Sequence, residues 1–184
     1  MADTSQPMAG KICMVTGANA GIGKATALGL AQMGATVVLV CRSQERGRAA
    51  RDEIQRQSGN DCVSLLLADL SSQASIRQLE ADFKARYPAL HVLVNNAGTI
   101  PRKRMLTADG LETQFAVNHL SYFLLTHLLL DVLKNNAPSR IVNVSSQAHR
   151  RASLDFGDLQ SERSYSPVQV YSRTKLANIR HYRE

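Results

Sequence analysis

The sequence predicts an α/β domain with a doubly wound, three-layer α/β/α parallel sheet, and three observations carry that prediction. Short apolar, β-branched runs alternate with longer amphipathic runs from Lys11 onward. The apolar runs are continuous rather than alternating, which is the pattern of strands buried on both faces. The distinctive polar clusters (a glycine loop, Arg42, Asp69, Asn96 and Ser146) all fall where these strands end, the side on which open α/β sheets hold ligands.

The first unit is Lys11–Gly23, an apolar run that breaks into Gly17, Gly21 and Gly23 and resumes as Lys24–Met33. It reads as strand, tight turn and helix. Glycines suit a backbone that turns sharply and lets a pyrophosphate lie against main-chain N–H groups at a helix start. The spacing is Thr-Gly-x3-Gly-x-Gly rather than Gly-x-Gly-x-x-Gly. Gly34 then stops the helix, and Ala35–Cys41 is a second strand. After Arg42-Ser43 the charged stretch Gln44–Gln57 is helical, ending at Ser58-Gly59-Asn60. Val63–Leu67 is a third strand, closed by Ala68-Asp69-Leu70. Ser71-Ser72 caps a helix that runs to Tyr87 and stops at Pro88.

Leu90–Val94 is the fourth strand and leads into Asn95-Asn96-Ala97-Gly98. A polar loop with Pro101 and Arg102-Lys103-Arg104 precedes one long Leu-rich helix over about 111–134. Ser139–Ser146 is the fifth strand, the stretch 147–168 is polar, and a last helix carries Tyr171 and Lys175. Strand and helix alternate throughout, which calls for right-handed crossovers and a Rossmann-type fold.

A chain of 184 residues is one domain, with residues 1–9 read as a flexible start and 180–184 as a divergent tail. The net charge of +7 is spread over several helices and loops, which argues for a solvated surface or a positive pocket for an anionic cofactor and against a nucleic-acid partner. Cys13, Cys41 and Cys62 show no paired ligand spacing and read as reduced core thiols; neither they nor the five histidines predict a metal site. No apolar span of membrane length and no signal peptide is written in the chain, so a cytoplasmic protein is expected.

Tyr171 and Lys175 stand four apart on one helical face. By itself the pair is also what an ordinary helix carries. An ammonium beside a phenol favours the phenolate and makes a competent proton donor and acceptor. Ser146 can hydrogen-bond a substrate oxygen, and Asn118 can anchor a proton-passing water. An NAD-preferring site places an acid at the end of the second strand. Here Cys41 is followed by Arg42, whose guanidinium can pair with a 2′-phosphate, so NADP is expected over NAD.

With the glycine loop, Asn95-Asn96-Ala97-Gly98, Val144-Ser145-Ser146 and Tyr171-x3-Lys175 in that order, the chain resembles the short-chain dehydrogenase/reductase family over residues 11 to about 179. The resemblance implies that Tyr171 is the general acid/base and Ser146 orients the reacting oxygen. It implies that Lys175 tunes the tyrosine and holds the nicotinamide ribose, and that Asn118 supports the relay. It further implies that Gly17, Asn19, Ala20, Gly21, Ile22 and Gly23 cradle the cofactor and that Asn96, Ala97 and Gly98 lie along it while bracing the sheet. Asp69 and Leu70 would meet the adenine, although an Asp capping the following turn looks the same.

Asn143–His149, Leu154–Gln160, Tyr171–Asn178 and the long Ser146-to-Tyr171 spacing are similar to the retinol-dehydrogenase-like branch. That similarity implies hydride exchange between NADP(H) and an apolar carbonyl or alcohol, retinoids among them. It also implies a homo-oligomer built on the long helix and the Tyr–Lys helix. Family members continue past the Tyr–Lys helix, whereas Arg180–Glu184 turns to charge. The chain is therefore expected to lack the last one or two strands and to leave its fifth strand as an open edge. The alternative is a catalytically silent dinucleotide-binding fragment that acts through a partner surface.

Overall fold

A computed structural model describes residues 6–180. Five parallel strands form one sheet: β1 (Ile12–Thr16), β2 (Thr36–Cys41), β3 (Val63–Leu67), β4 (Val92–Asn95) and β5 (Arg140–Asn143), in the order β3-β2-β1-β4-β5. Consecutive strands run outward from β1 in one direction and then, from β4, in the other, so the order reverses between β1 and β4. A ligand crevice opens at such a point. Registers such as Met14 opposite Val38 and Leu93 align the carboxyl ends that bear the polar clusters.

Successive residues of each strand feed opposite faces. Met14, Val38, Val40, Leu66 and Leu93 pack against Ile76, Leu79 and Phe83 of α3 (Gln73–Arg86) and Leu125, Leu129 and Leu133 farther along. Cys13, Val15, Val37 and Leu39 pack instead against Ala27 and Ala31 of α1 (Gly21–Gln32) and Ile54 of α2 (Gln44–Ser58). Each wholly buried aliphatic or aromatic side chain contributes about 1.5–3 kcal/mol. Continuous apolar strands are therefore what this three-layer arrangement requires.

Helix ends follow their sequence signals. Gly59, with φ +68°, terminates α2, and Gly34, with φ +87°, lies just beyond α1. Several boundaries differ from expectation. β4 starts two residues later than expected, Leu90 being buried in the core, and runs one residue further, to Asn95, whereas β5 is shorter at both ends and Val144, Ser145 and Ser146 beyond it line the cleft. The single helix expected over 111–134 is instead α4 (Thr113–Phe115), a π-helical stretch Ala116–Leu120, α5 (Ser121–Leu128) and α6 (Leu130–Asn135). The π stretch bonds the Ser121 N–H to the Ala116 carbonyl and lets Asn118 turn toward the loop after β4. The last helix, α7 (Pro167–Arg180), packs beside that stretch.

Cys62 corrects the reading of three core thiols: Cys13 and Cys41 are buried, whereas Cys62 lies exposed in the loop before β3. Of the start expected to be flexible, residues 6–9 are tied down, with the Met8 N–H bonded to the Met33 carbonyl at 2.9 Å and Met8 packed on the core. Residues 1–5 and most of the divergent tail, 181–184, lie outside the described residues. β5 is the sheet's edge, with Val142 46% exposed. Among the described residues no helix is long and apolar enough to cross a membrane, and no cluster of His, Cys, Asp or Glu could hold a metal ion.

Candidate active site

A cleft of about 920 Å³ runs across the carboxyl ends of the strands, and the glycine loop forms its floor. Gly17 has φ +66°, and a Cβ there would stand 2.8 Å from the Ala97 Cα. A Cβ on Gly23 would run into the Gly17 carbonyl oxygen at 2.5 Å. These two glycines let β1, the start of α1 and the loop after β4 meet. Gly21, with φ +55°, is different, because a Cβ there would meet nothing and would only fill the cleft. The N-cap of α1 is Ala20, with no side-chain cap and no acidic residue in the first turn. The N–H groups of that turn thus open onto a glycine cradle, which suits a pyrophosphate.

The loop after β4 is held by hydrogen bonds that leave little freedom. The Thr16 hydroxyl accepts from the N–H groups of Asn96 at 2.9 Å and Ala97 at 3.1 Å. Asn96 returns its side-chain amide to the Thr16 carbonyl at 2.9 Å, and the Tyr122 hydroxyl donates to the Ala97 carbonyl at 2.8 Å. Asn118 stands behind this loop rather than in the cleft. Its side-chain oxygen accepts from the Thr99 N–H at 2.8 Å, and its amide donates to the Thr99 carbonyl at 3.0 Å. The Asn118 carbonyl accepts from Asn178 on α7 at 2.8 Å.

At the β2–β3 end, Arg42 is exposed, lines the cleft and has no partner among the described residues. Ser43 accepts from the Arg46 N–H at 3.3 Å as the N-cap of α2, and Arg46 also lines the cleft. Asp69 makes the turn contact that its sequence context allowed: its carboxylate accepts from the N–H (2.9 Å) and hydroxyl (2.7 Å) of Ser71. Leu70 is buried beside it and lines the same wall.

At the β5 end the cleft is lined by Ser146, Tyr171 and Lys175. Lys175 is only 3% exposed; its ammonium donates to the Val144 carbonyl at 2.8 Å and lies 5.6 Å from the centre of the Tyr171 ring and 5.5 Å from that of Tyr122. Burial pulls the Lys175 amine down to about 8, so it is still mostly a cation at neutral pH. Tyr122 is pushed well above the usual phenol range, by burial first and by nearby Tyr171 second, and its proton is committed to Ala97. It is a brace rather than a second acid. Ser145 donates to the Lys175 carbonyl at 2.9 Å, whereas Ser146 accepts from the Ala148 N–H at 3.2 Å and keeps its own proton for the cleft. The half-exposed Ile100, Met105 and Leu106 add an apolar border.

One cleft therefore gathers Gly17, Asn19, Ala20, Gly21, Ile22, Gly23, Arg42, Asp69, Leu70, Asn96, Ala97, Gly98, Ser146, Tyr171 and Lys175, and leaves out Asn118. Sequence reasoning missed Thr16, Tyr122, Ser43 and Arg46. Thr16 stands first in the Thr-Gly-x3-Gly-x-Gly pattern, Ser43 directly before a predicted helix and Arg46 one helical turn beyond Arg42, whereas Tyr122 carried no signal.

A glycine-floored crevice at the reversal point of a doubly wound sheet, with a phenol, an ammonium and a hydroxyl at its far end, defines a dinucleotide-binding domain of the oxidoreductase type. Residues 11–156 match the short chain dehydrogenase family model. The chain belongs to the short-chain dehydrogenase/reductase family, whose members bind a nicotinamide dinucleotide.

It is 52% identical to human retinol dehydrogenase 11 over 170 residues, covering 92% of this chain and 54% of that protein. It is 47% identical to human retinol dehydrogenase 12 over 181 residues, covering 98% and 57%. The chain thus spans about half the length of the curated relatives it matches. An uncharacterized protein from Mycobacterium paratuberculosis superposes with a TM-score of 0.81 at 38% identity, covering 94% of this chain and 60% of the other. A short chain dehydrogenase from Escherichia coli CFT073, complexed with NADPH, superposes at 0.76 with 26% identity, covering 95% and 70%.

Proposed function

We propose that this cleft binds NADP(H) and catalyses hydride exchange between it and an apolar carbonyl or alcohol, in the manner of the retinol-dehydrogenase relatives. The observation that carries the reading is the placement of Tyr171 and Ser146 in the same cleft as the glycine cradle, with the Lys175 ammonium beside the phenol. When bound, the dinucleotide supplies or accepts the hydride. Gly21 and the uncapped first turn of α1 hold its pyrophosphate, and Arg42 with Arg46 favours a 2′-phosphate. Asp69 and Leu70 border the adenine, and Asn96, Ala97 and Gly98 lie along the centre.

In the reducing direction Tyr171 donates its proton to the carbonyl oxygen as that oxygen gains negative charge. Ser146 donates a hydrogen bond to the same atom and fixes its position. Lys175, cationic below about pH 8, stabilises the phenolate left behind and can bond the nicotinamide ribose. Asn118 supports the chemistry by holding Thr99 and α7 rather than by presenting its side chain to the cleft. Ile100, Met105 and Leu106 favour an apolar substrate, with retinoids within the class. A homo-oligomer through α5 and α7 is part of the same proposal.

The test is steady-state oxidation of NADPH with decanal and with retinal. Turnover should fall about a hundredfold or more in Tyr171→Phe, with NADPH affinity kept. Arg42→Ala should weaken NADPH about tenfold and leave NADH unchanged. Cofactor binding without turnover by the unsubstituted chain would contradict the catalytic reading, and equal turnover in the phenylalanine variant would remove Tyr171 from it.

A further inference from the structure

Residues 105–113 form a small antiparallel hairpin that no sequence motif announced. Leu106 pairs with Glu112, the Thr113 N–H donates to the Met105 carbonyl at 2.9 Å, and the Thr107 N–H donates to the Leu111 carbonyl at 2.8 Å. Its base is fixed. Glu112 is fully buried, and its carboxylate accepts from the N–H groups of Gln114 at 2.8 Å and Phe115 at 2.7 Å. Its tip, by contrast, is tied to α3 among the described residues by one bond across a gap: the Asp109 carboxylate accepts from the N–H of Gln73, the first residue of α3, at 2.8 Å.

That bond crosses the β3–α3 turn, whose Asp69, Leu70 and Ser71 line the cleft at the end away from Tyr171. Met105, Leu106, Thr107 and Ala108 of the hairpin line the same cleft. Behind the hairpin lies a second, apolar cavity of about 330 Å³, bordered by Leu70, Ile76, Leu111, Leu120 and Leu124. Asp109 and Leu111 of the hairpin border this cavity together with Gln73 of α3, and the Asp109 bond ties the tip to α3 across it.

We propose that Asp109 is a positioning residue for the dinucleotide: by holding the hairpin tip on the start of α3, it closes the outer wall of the cleft over the adenosine half. The proposal rests on the reading of the cleft as a dinucleotide site. The carboxylate acts through the hairpin and touches no ligand itself. The adenosine half should therefore lose affinity when the latch is cut, and the nicotinamide half should not.

Cofactor-fluorescence titration with NADPH, competition by 2′,5′-ADP, and direct titration with reduced nicotinamide mononucleotide read the two halves separately. Asp109→Ala should weaken NADPH and 2′,5′-ADP about tenfold and leave the mononucleotide unchanged. Asp109→Asn, whose amide oxygen still accepts, should restore most of that loss. Gln73→Pro removes the donor from the other side. Proline is tolerated at a first helical position, and Ser72 before it is already extended at φ −118° and ψ 120°.

Gln73→Pro should match Asp109→Ala, and the double variant should be no weaker than either single one. Unchanged 2′,5′-ADP affinity in both single variants, additive losses, or an equal loss of the mononucleotide would overturn the latch. If Asp109→Ala fails to fold, Gln73→Pro decides alone. An unsubstituted protein that binds neither NADPH nor 2′,5′-ADP overturns the cofactor reading itself, whereas normal binding that is indifferent to both substitutions overturns only the role of Asp109.

Discussion

The starts of α1 and α3 stand at the same edge of the same sheet and are finished in opposite ways. At α3, Ser72 accepts from the Ser75 N–H at 3.3 Å and Asp109 takes the Gln73 N–H at 2.8 Å, so two side chains consume donors of the first turn. At α1 the cap position is Ala20, no side chain among the described residues bonds the first turn, and Gly21 keeps the approach clear. A helix start left bare costs about 1 kcal/mol relative to a capped one. The bare end faces the cleft at the reversal of strand order, and the capped one holds the cleft's outer wall. The difference separates a surface kept for a ligand from a surface used to build the fold.

Giving α1 the cap it lacks breaks the contrast most strongly. Ala20→Asp should stabilise the protein by about 1 kcal/mol in urea unfolding, because its carboxylate accepts from the first turn. It should also weaken NADPH about a hundredfold in a fluorescence titration, since the same donors are taken and a like charge is added. Stability and binding moving in opposite directions is the signature of a helix start reserved for an anion. The reciprocal change is smaller. Ser72→Ala should cost about 1 kcal/mol in the same unfolding experiment and leave NADPH affinity unchanged while Asp109 still holds the Gln73 N–H.

The buried ammonium at the other end of the cleft gives a pH prediction. Burial lowers Lys175 from its ordinary 10.5 to about 8. Between these values the unfolded chain binds more protons than the folded one, so stability rises with pH across that window. Below about 8 the cost of the buried charge is present in full. Turnover should move the other way, falling as pH passes about 8 and the cation beside Tyr171 is lost. Thermal melts and rate profiles should therefore diverge above pH 8, and Lys175→Met should flatten the stability rise. The smallest effect concerns the thiols. Burial raises Cys13 and Cys41 to about 11, so a thiol reagent at neutral pH should label Cys62 rapidly and the other two only on unfolding.

The glycine loop and the Tyr171–Lys175 pair were legible because their demands are local: a turn that excludes a Cβ, and two side chains on one helical face. The strands were legible because burial on both faces leaves no polar alternation. The π-helical stretch was not, since Ala116–Leu120 contains no proline or glycine and is set by the bonds of Asn118 to Thr99 and Asn178. Asp109 was not legible either, because an Asp-Gly pair at a turn looks the same whether or not it reaches a distant helix. Cys62 was read as buried because it adjoins an apolar run, yet the strand begins one residue later, at Val63.

In the proposed reaction one cleft brings a reduced nicotinamide and the Tyr171 phenol to the same carbonyl. Incubation of the protein with decanal and NADPH deuterated at its transferable position, followed by mass spectrometry of the decanol, tests it most directly. One deuterium is expected on the carbinol carbon with Tyr171 intact and almost none with Tyr171→Phe. Decanol without deuterium, or equal transfer by the phenylalanine variant, would contradict it.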